Sequence, residues 1–259
     1  MNKRKLLSGI IILGLLLIFF VFSQGSGEMD LAVRYSSPSS LHPFGTDAYG
    51  RDIMERLSRG ALISLGLGLA VSAASTAIGL VFAAFFFERG PVGRCAWIMS
   101  DTMKSIPAIL MALFLSALFG PGMWVVFLSL TVANVPNIAR ASYLKLMVLR
   151  REEYVLSAET MGMGKAKLFI KHMLPHFSGE LLSQSAGIFS SSILTEASLS
   201  FLGCGIPLSL PSIGSIMNEG RAVILTSPHM VVFPSLVLIL MGIALFLIQD
   251  GSDPDSVPQ

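Results

Sequence analysis

Few residues in this chain have the types and spacing that catalysis would need. Gly162-Met163-Gly164-Lys165 contains part of a phosphate-binding loop, but Glu159 and Ala166 stand where that pattern needs Gly and Ser or Thr. The sequence also lacks the G-x-S-x-G and H-E-x-x-H patterns of serine hydrolases and zinc proteases. We therefore expect this chain to hydrolyse no ATP by itself.

Two further groups could bind metal or move protons. His172 and His176 have the spacing of half a metal site on a helix, but Pro175 lies between them and no Cys or carboxylate cluster joins them. We expect no metal site. Glu196 is the one acidic residue expected inside an apolar span, which is by default a candidate functional site. A carboxylate capped by local donors near the membrane interface explains Glu196 equally well.

The elements that must position these residues are membrane helices. The chain is 53% hydrophobic and 13% charged, its mean hydropathy is +0.72, and it has several nearly uncharged runs of spanning length. We expect an all-α, polytopic membrane protein with six transmembrane helices. Their predicted ranges are 6–22, 61–87, 96–119, 123–139, 180–202 and 230–248. The first could instead be a signal peptide, but the cleavage sequence after it is poor, so an uncleaved helix is favoured.

The polar segments between these spans give the domain organisation. We predict an N-terminal helix (1–22), an extracytoplasmic segment (23–60), a five-helix core (61–250) and a tail (251–259), with a long polar loop at 140–178. Thirteen of the 18 Lys and Arg residues fall in the segments that share a side with the N-terminus. Because cytoplasmic loops are enriched in Lys and Arg, both termini are predicted to be cytoplasmic. Cys95 and Cys204 then lie on opposite faces, and no disulfide is expected.

Several polar residues fall inside or beside the predicted spans. Asp101 and Lys104 are three residues apart and can pair, and we expect them to lie at the inner interface, with Pro107 inside the same span. Asn134 and Asn137 are expected to face the bundle interior, because unpartnered amides are unfavourable in lipid. Contact between helices is the favoured role for them, and a translocation path is the alternative. The possible path residues are Asn134, Asn137, Ser191 and Glu196.

Residues 42–52, HPFGTDAYGRD, form the most patterned part of the extracytoplasmic segment. Gly45 and Gly50 permit positive φ angles, and Asp47, Arg51 and Asp52 can pair locally. A structural cap on the bundle is favoured over direct contact with substrate.

Residues 152–176, EEYVLSAETMGMGKAKLFIKHMLPH, form a polar, charge-rich segment between two apolar runs. Tyr154, Ala158 and Met161 have helical spacing, and Gly162 and Gly164 then interrupt the helix. A second helical stretch, 165–173, is expected to stop at Pro175. Such a hairpin on a membrane protein is suited to docking a soluble partner.

This hairpin resembles the cytoplasmic loop of ABC importer permeases in the dipeptide, oligopeptide and nickel branch. That loop has the form E-A-A, three residues, Gly, and then His-x-Leu-Pro; this chain has Glu153-Tyr154-Val155, Leu156-Ser157-Ala158, Gly162 and His172-Met173-Leu174-Pro175. Leu156 replaces the usual Glu and Ser157 the usual Ala. The segments 42–52 and 195–205 resemble the H-P-x-G-T-D-x-x-G-R-D and E-A-x-L-S-F-L-G-L-G sequences of the same branch.

The resemblance implies a type I ABC importer permease fold in a bacterial inner membrane, as the second permease of a pair. It implies a heterodimer with the other permease, two ATPase subunits that bind the ATP and Mg, and an extracytoplasmic binding protein; no cofactor is expected in this chain. The implied ATPase-coupling residues are Glu153, Tyr154, Ala158, Gly162, Lys165, His172 and Pro175, and the implied outer-loop motif is His42, Phe44, Gly45, Thr46, Asp47, Gly50, Arg51 and Asp52.

The substrate stays open among peptides, nickel and metal chelates. A membrane-embedded enzyme is disfavoured because Glu196 has no acidic partner in the spans and every His lies outside them. A secondary transporter is disfavoured because no internal repeat is visible. An exporter would usually carry its own ATPase domain or a long helical extension.

Overall fold

The structure, a computed structural model, describes residues 3–23, 29–87, 91–207 and 209–252, and every regular element of that part is helical. A 3-10 turn at Leu31–Val33 and a π-helical turn at Phe169–Met173 accompany the α-helices. In chain order these are α1 Lys3–Phe22, α2 Ile53–Phe87, α3 Pro91–Lys104, α4 Ala108–Phe119, α5 Met123–Leu149, α6 Glu153–Thr160, α7 Lys165–Leu168, α8 Leu174–Phe201, α9 Ile213–Arg221 and α10 His229–Ser252. The predicted all-α fold is confirmed.

Length and composition identify which described helices can cross a membrane. Helices α1, α2, α5 and α10 are long and apolar enough, and α3 with α4 provides a fifth crossing if the bent pair is one span. Helix α8 has 28 residues, which is also sufficient length, but its serines and Glu196 make it more polar. Of the six predicted crossings, five are therefore supported by apolar character and the sixth by length.

The third predicted span is broken, so its prediction as one continuous helix was wrong. Helix α3 ends at Lys104, α4 begins at Ala108, and their axes differ by 88°. Pro107 explains the break because it donates no backbone hydrogen bond and disfavours helical geometry in the residue before it. Asp101, which the spacing allowed to pair with Lys104, forms its ion pair with Arg140 of α5 at 3.1 Å.

Several helix boundaries differ from the predicted ones. Helix α5 continues to Leu149, through the first part of the predicted polar loop, and α10 continues to Ser252. The region 206–229, predicted as a loop, contains helix α9. Ser212 caps α9: its Oγ accepts from the Ser215 N–H (3.1 Å), and the Ser215 Oγ accepts from the Ser212 N–H (2.9 Å). The predicted tail beyond Ser252 lies outside the described residues.

Helix α2 packs against both α5 and α8 and forms the centre of the bundle. A Cβ added at Gly79 would lie 2.6 Å from Cγ2 of Ile138 in α5, and one at Gly68 would lie 2.8 Å from Cγ1 of Ile193 in α8. Small residues on α2 therefore allow its neighbours to approach closely. We call the end of the bundle formed by α6, α7 and the C-terminal ends of α2 and α5 the coupling end. The opposite end, formed by residues 29–52 and α9, is the cap end.

Candidate functional site

The segment 152–173 is anchored to the coupling end by apolar side chains. Val155 and Ala158 of α6 and Leu168 of α7 are buried in one cluster. The same cluster contains three buried residues from the long helices, Ala83 of α2 and Leu146 and Leu149 of α5. Because these side chains share one buried cluster, the segment is packed directly against α2 and α5. A displacement of the segment would therefore be transmitted to these two helices.

The turn between α6 and α7 depends on the backbone of Gly162. Its φ is +79°, a left-handed conformation that favours glycine. The Gly162 N–H donates to the Glu159 carbonyl (3.1 Å), and the Met163 N–H donates to the Ala158 carbonyl (3.2 Å). These two bonds form a Schellman motif, which ends α6 and turns the chain toward α7. The predicted interruption of the helix at Gly162 is therefore present, and it has the backbone geometry of a Schellman turn.

The predicted coupling residues do not all lie on the surface of the segment. Glu153 and Gly162 are exposed, whereas Ala158 is buried and so packs the segment from inside. The side chain of Lys165 lies outside the described residues. Sequence reasoning missed the exposed apolar side chains Leu156, Met161 and Ile170, which are 47%, 78% and 63% exposed. Apolar side chains on an otherwise polar loop are the signal that could have identified them.

Tyr154 of α6 contacts His176 in the first turn of α8, and His172 lies in the π-helical turn just before α8. The rings of Tyr154 and His176 stack with centroids 4.7 Å apart, and His176 Nδ1 lies 3.2 Å from the His172 carbonyl oxygen. Burial raises the pKa of the Tyr154 phenol, and the nearby Glu152 charge adds to the effect. Within the described residues, no three His, Cys, Asp or Glu side chains are placed to hold a metal ion. The His pair packs the return of the chain into α8.

Pro175 was expected to end the second helical stretch, and that prediction was wrong. A π-helical turn at Phe169–Met173 leads directly into α8, where Pro175 occupies the first turn. Proline is tolerated there because it comes just after the π-helical turn, which already interrupts the regular i to i−4 hydrogen bonding. The Leu174 N–H donates to the Phe169 carbonyl, and this hydrogen bond joins the π-helical turn to α8. Helical backbone therefore runs without interruption from α7 through α8.

Three of the four predicted path residues line one groove between α5 and α8. The groove has a volume of about 360 Å³, and its polar lining consists of Asn134, Asn137, Gln184 and Ser191. The Asn134 Nδ2 donates to the Leu130 carbonyl within α5 (2.8 Å), so its amide oxygen keeps capacity to accept. Gln184 was not predicted for this surface. The arrangement offers both donors and acceptors along one wall.

Glu196, the fourth predicted path residue, is buried away from this groove and is 1% exposed. Its carboxylate accepts from the Ser64 Oγ of α2 (2.6 Å) and the Ser200 Oγ of α8 (2.7 Å). The Ser200 Oγ in turn accepts from the Ile206 N–H at 3.1 Å. The hydroxyl of Ser212, which caps α9, is a third hydrogen-bonding neighbour. Glu196 therefore joins α2, α8 and the start of α9.

The serine contacts of Glu196 give a prediction about stability. Glu196→Gln keeps the side-chain shape and an acceptor, so it should change thermal unfolding little. Glu196→Leu leaves the buried Ser64 and Ser200 hydroxyls without their acceptor and should lower the free energy of unfolding by about 1–3 kcal/mol. Thermal unfolding of the purified protein in detergent compares the two variants. Equal losses for Gln and Leu would show that the hydrogen bonds contribute nothing specific.

The motif at 42–52 forms a compact turn at the cap end. Gly45 and Gly50 have φ angles of +78° and +72°, and a Cβ at Gly50 would lie 1.7 Å from the Asp30 carbonyl oxygen. Asp52 caps the start of α2 through the Met54 N–H (2.8 Å) and also contacts His42 Nδ1 (2.9 Å). The predicted positive φ angles and the local pairing of Asp52 are confirmed.

Other motif residues fasten this turn to the bundle. The Phe44 ring stacks on Phe233 of α10 with centroids 4.4 Å apart. The Thr46 Oγ1 donates to the Val33 carbonyl and accepts from the Ser36 N–H. His229 Nε2 lies 3.3 Å from the Thr46 carbonyl oxygen. These contacts make the motif a structural cap, because its side chains are used in holding the turn against α10.

A buried charge network connects the cap to α9. Asp47 is fully buried and accepts from the Arg51 Nε (2.7 Å) and the Arg56 Nη1 (2.6 Å). Arg56 also donates from both of its Nη atoms to the Glu219 carboxylate, at 2.6 and 2.7 Å. Sequence reasoning predicted the pairing of Arg51 with Asp47 but missed Arg56 and Glu219. Glu219 lies in α9, whose existence the sequence analysis had not predicted.

Comparison with known proteins agrees with this arrangement. A family model described as "Binding-protein-dependent transport system inner membrane component" matches residues 75–256. A putative peptide transport system permease protein of Brucella suis biovar 1 is 33% identical over 93% of this chain and 82% of its own length. The dipeptide transport system permease protein DppC of Alkalihalophilus pseudofirmus is 32% identical over 97% of this chain and 85% of its own. The oligopeptide transport system permease protein OppC of Bacillus subtilis is 30% identical, with 96% and 84% covered.

Solved structures show the same fold at lower identity. A structure titled as an inward facing conformation of the MetNI methionine ABC transporter superposes with a TM-score of 0.60 at 18% identity, covering 78% of this chain and 98% of that one. An amino acid ABC transporter gives a TM-score of 0.58 at 14% identity, covering 73% and 89%. The extent of the family match and the identity to several permeases together decide the assignment. The chain belongs to the family of binding-protein-dependent transport system inner membrane components, the membrane permease subunits of ABC importers.

Proposed function

We propose that this permease carries peptides, and that it does so as one half of a heterodimer with a second, homologous permease. The supporting observation for the substrate is that the relatives reported above, at 30–33% identity over nearly the whole chain, are named for peptides, dipeptides or oligopeptides. As a permease of this family, the chain is a multi-pass membrane protein and not itself an enzyme, because ATP hydrolysis belongs to a separate subunit.

The groove between α5 and α8 supports a peptide substrate on chemical grounds. Asn134, Asn137 and Gln184 each carry an amide that can donate and accept, as a peptide bond does. Such a wall can exchange hydrogen bonds with a peptide backbone regardless of side-chain sequence. His and Cys are absent from the groove's lining, so it offers no soft or imidazole ligand to a bare metal ion. Peptide is therefore preferred here to nickel or a metal chelate.

The proposed partners bind at opposite ends of the helix bundle. Two ATPase subunits, which bind the ATP and Mg, dock against α6 and the turn at Gly162, where Leu156 and Met161 offer exposed apolar contacts. An extracytoplasmic binding protein delivers substrate at the cap end. This places both termini in the cytoplasm, in agreement with the distribution of Lys and Arg. Closure of the ATPase pair then moves the coupling end, and the helix bundle alternates between two openings.

Reconstitution of the assembled importer tests the proposal. The chain is copurified with its neighbouring ATPases and second permease, placed in proteoliposomes, and supplied with its binding protein and either trialanine or a nickel–histidine chelate. We expect trialanine, and not the chelate, to stimulate ATP hydrolysis and to accumulate in an ATP-dependent manner. Accumulation of the chelate alone would overturn the peptide assignment. Copurification without any second permease would overturn the heterodimer.

A further inference from the structure

A second cavity, separate from the groove described above, lies on the other side of α5 between α2, α3 and α5. It has a volume of about 230 Å³, and its lining is apolar apart from Ser100 and Thr131. We call it the apolar slot; its lining includes Ile78, Phe82, Met99, Met103, Val132 and Pro136. Ile78 and Met99 are 42% and 56% exposed, so the slot opens at the surface of the bundle. Nothing in the proposed transport mechanism uses it.

The bend at Pro107 determines what this slot faces. Because α3 and α4 meet at 88°, α3 cannot cross the membrane along the same direction as α4. If α4 crosses, α3 lies near the membrane plane, and Trp97 on α3 then lies at the depth where tryptophan is enriched in membrane proteins. The apolar slot beneath α3 therefore opens toward the boundary between the acyl chains and the headgroups of the lipid.

Cations flank the slot on two of its three helices. Lys104 directly follows the lining residue Met103 on α3, and Arg140 directly follows the lining residue Ala139 on α5. The Arg140 Nη1 lies 3.1 Å from the Asp101 carboxylate, and its Cζ lies 5.4 Å from the Trp97 ring centroid. Lys104 is within electrostatic range of both Arg140 and Asp101. Two cations and one carboxylate leave an excess positive charge, and the Arg140 side chain is 46% exposed.

We propose that the apolar slot and the cations at its mouth form a binding site for one anionic phospholipid, with an acyl chain in the slot and the phosphate at Lys104 and Arg140. Basic pockets between membrane helices beside the interface recognise anionic headgroups, and apolar surface buried along an acyl chain adds affinity. The positive mouth distinguishes this occupant from a zwitterionic lipid. It also distinguishes it from an apolar helix of a partner subunit, which would leave the positive charge without a counterion.

Tryptophan quenching provides a direct test, because the chain has two tryptophans, Trp97 and Trp124. The Trp124→Phe variant of the full chain, purified in detergent, reports from Trp97 alone. We add phosphatidylglycerol or phosphatidylcholine carrying the same brominated acyl chain. Phosphatidylglycerol should quench at a concentration about fivefold lower, because each cation near the surface contributes about a factor of five for an anionic lipid.

Three further variants identify the site. Lys104→Gln should remove most of the preference for phosphatidylglycerol. The matched control is Lys5→Gln, which removes a cation that pairs with Asp250 at 2.7 Å on the α1–α10 side, and it should leave the preference unchanged. Val132→Phe fills the slot and should weaken quenching by both lipids. The proposal fails if the two lipids quench equally, if Lys5→Gln acts like Lys104→Gln, or if copurification of the second permease abolishes quenching by both lipids.

Discussion

Replacement of Arg56 by Met should lower the free energy of unfolding by about 3–5 kcal/mol, the range expected when one partner of a buried ion pair is removed. Arg56 is 7% exposed and donates to both Asp47 and Glu219. Without it, the fully buried Asp47 keeps one cationic partner, Arg51, whose Nη2 is 3.8 Å from Glu219. Chemical unfolding of the purified protein, followed by the loss of helical signal, measures the change.

A nearby arginine provides the control for this result. Arg59→Met removes an arginine three residues away, which pairs with Glu55 along the helix surface and has a 42% exposed side chain. Its effect should be no more than about 1 kcal/mol, as for exposed ion pairs in general. The double variant Arg56→Met/Glu219→Gln should recover part of the loss, because it removes a carboxylate that has lost its two closest hydrogen bonds and keeps only the longer contact with Arg51. Equal losses for Arg56→Met and Arg59→Met would contradict the buried network.

Gly162→Val should separate the permease from its ATPase while leaving the helix bundle folded. A β-branched residue at φ +79° is strained by about 1–3 kcal/mol, which corresponds to roughly 5- to 150-fold in an equilibrium constant. A Cβ at this position has no other atom within 4 Å, so the effect comes from the backbone and not from a clash. The measurement is recovery of the ATPase with the affinity-purified permease, together with ATP-dependent trialanine uptake.

Two glycine variants make the Gly162 result interpretable. Gly164→Ala changes an exposed glycine whose φ is not positive, so recovery of the ATPase should stay near that of the wild type. Gly162→Asn should retain most of the complex, because asparagine tolerates the left-handed conformation. If Gly162→Val binds the ATPase as well as the wild type does, then the Schellman turn is not part of the docking surface.

Local patterns predicted most of the spanning helices and the glycine turns, because both are set by neighbouring residues. Long apolar runs predicted the spanning helices, the positive φ angles of Gly45 and Gly50 were predicted, and Gly162 was predicted to interrupt its helix. Proline was the less certain signal, since its effect depends on its position within a helix. Pro107 breaks the third span, whereas Pro175 lies in a first turn and Pro136 lies inside α5. From the sequence alone, we could not predict which proline breaks a helix and which lies within one.

The candidate sites depend on contacts between distant residues, and the sequence did not determine these. Arg56 and Glu219 are 163 positions apart, and Ser64 and Glu196 are 132 apart. Asp101 has two cations near it, and the one with which it forms an ion pair, Arg140, is 39 positions away in sequence. The capping box of α9 was a local signal that was overlooked, because two serines replace the usual Ser and Glu. Tertiary packing, and not local helix propensity, determines which of these distant residues meet.

Helix α8 has a mechanical consequence for the whole molecule. It begins at the coupling end, carries the groove residues Gln184 and Ser191 in its middle, and carries Glu196 near its other end, beside the cap end. Its 28 residues form a rod about 42 Å long, so a tilt of only about 5° about one end displaces the other by about 4 Å. One rigid helix thus connects the coupling end, the groove and the cap end. Because α8 is one continuous helix, a tilt of α8 moves all three regions at the same time.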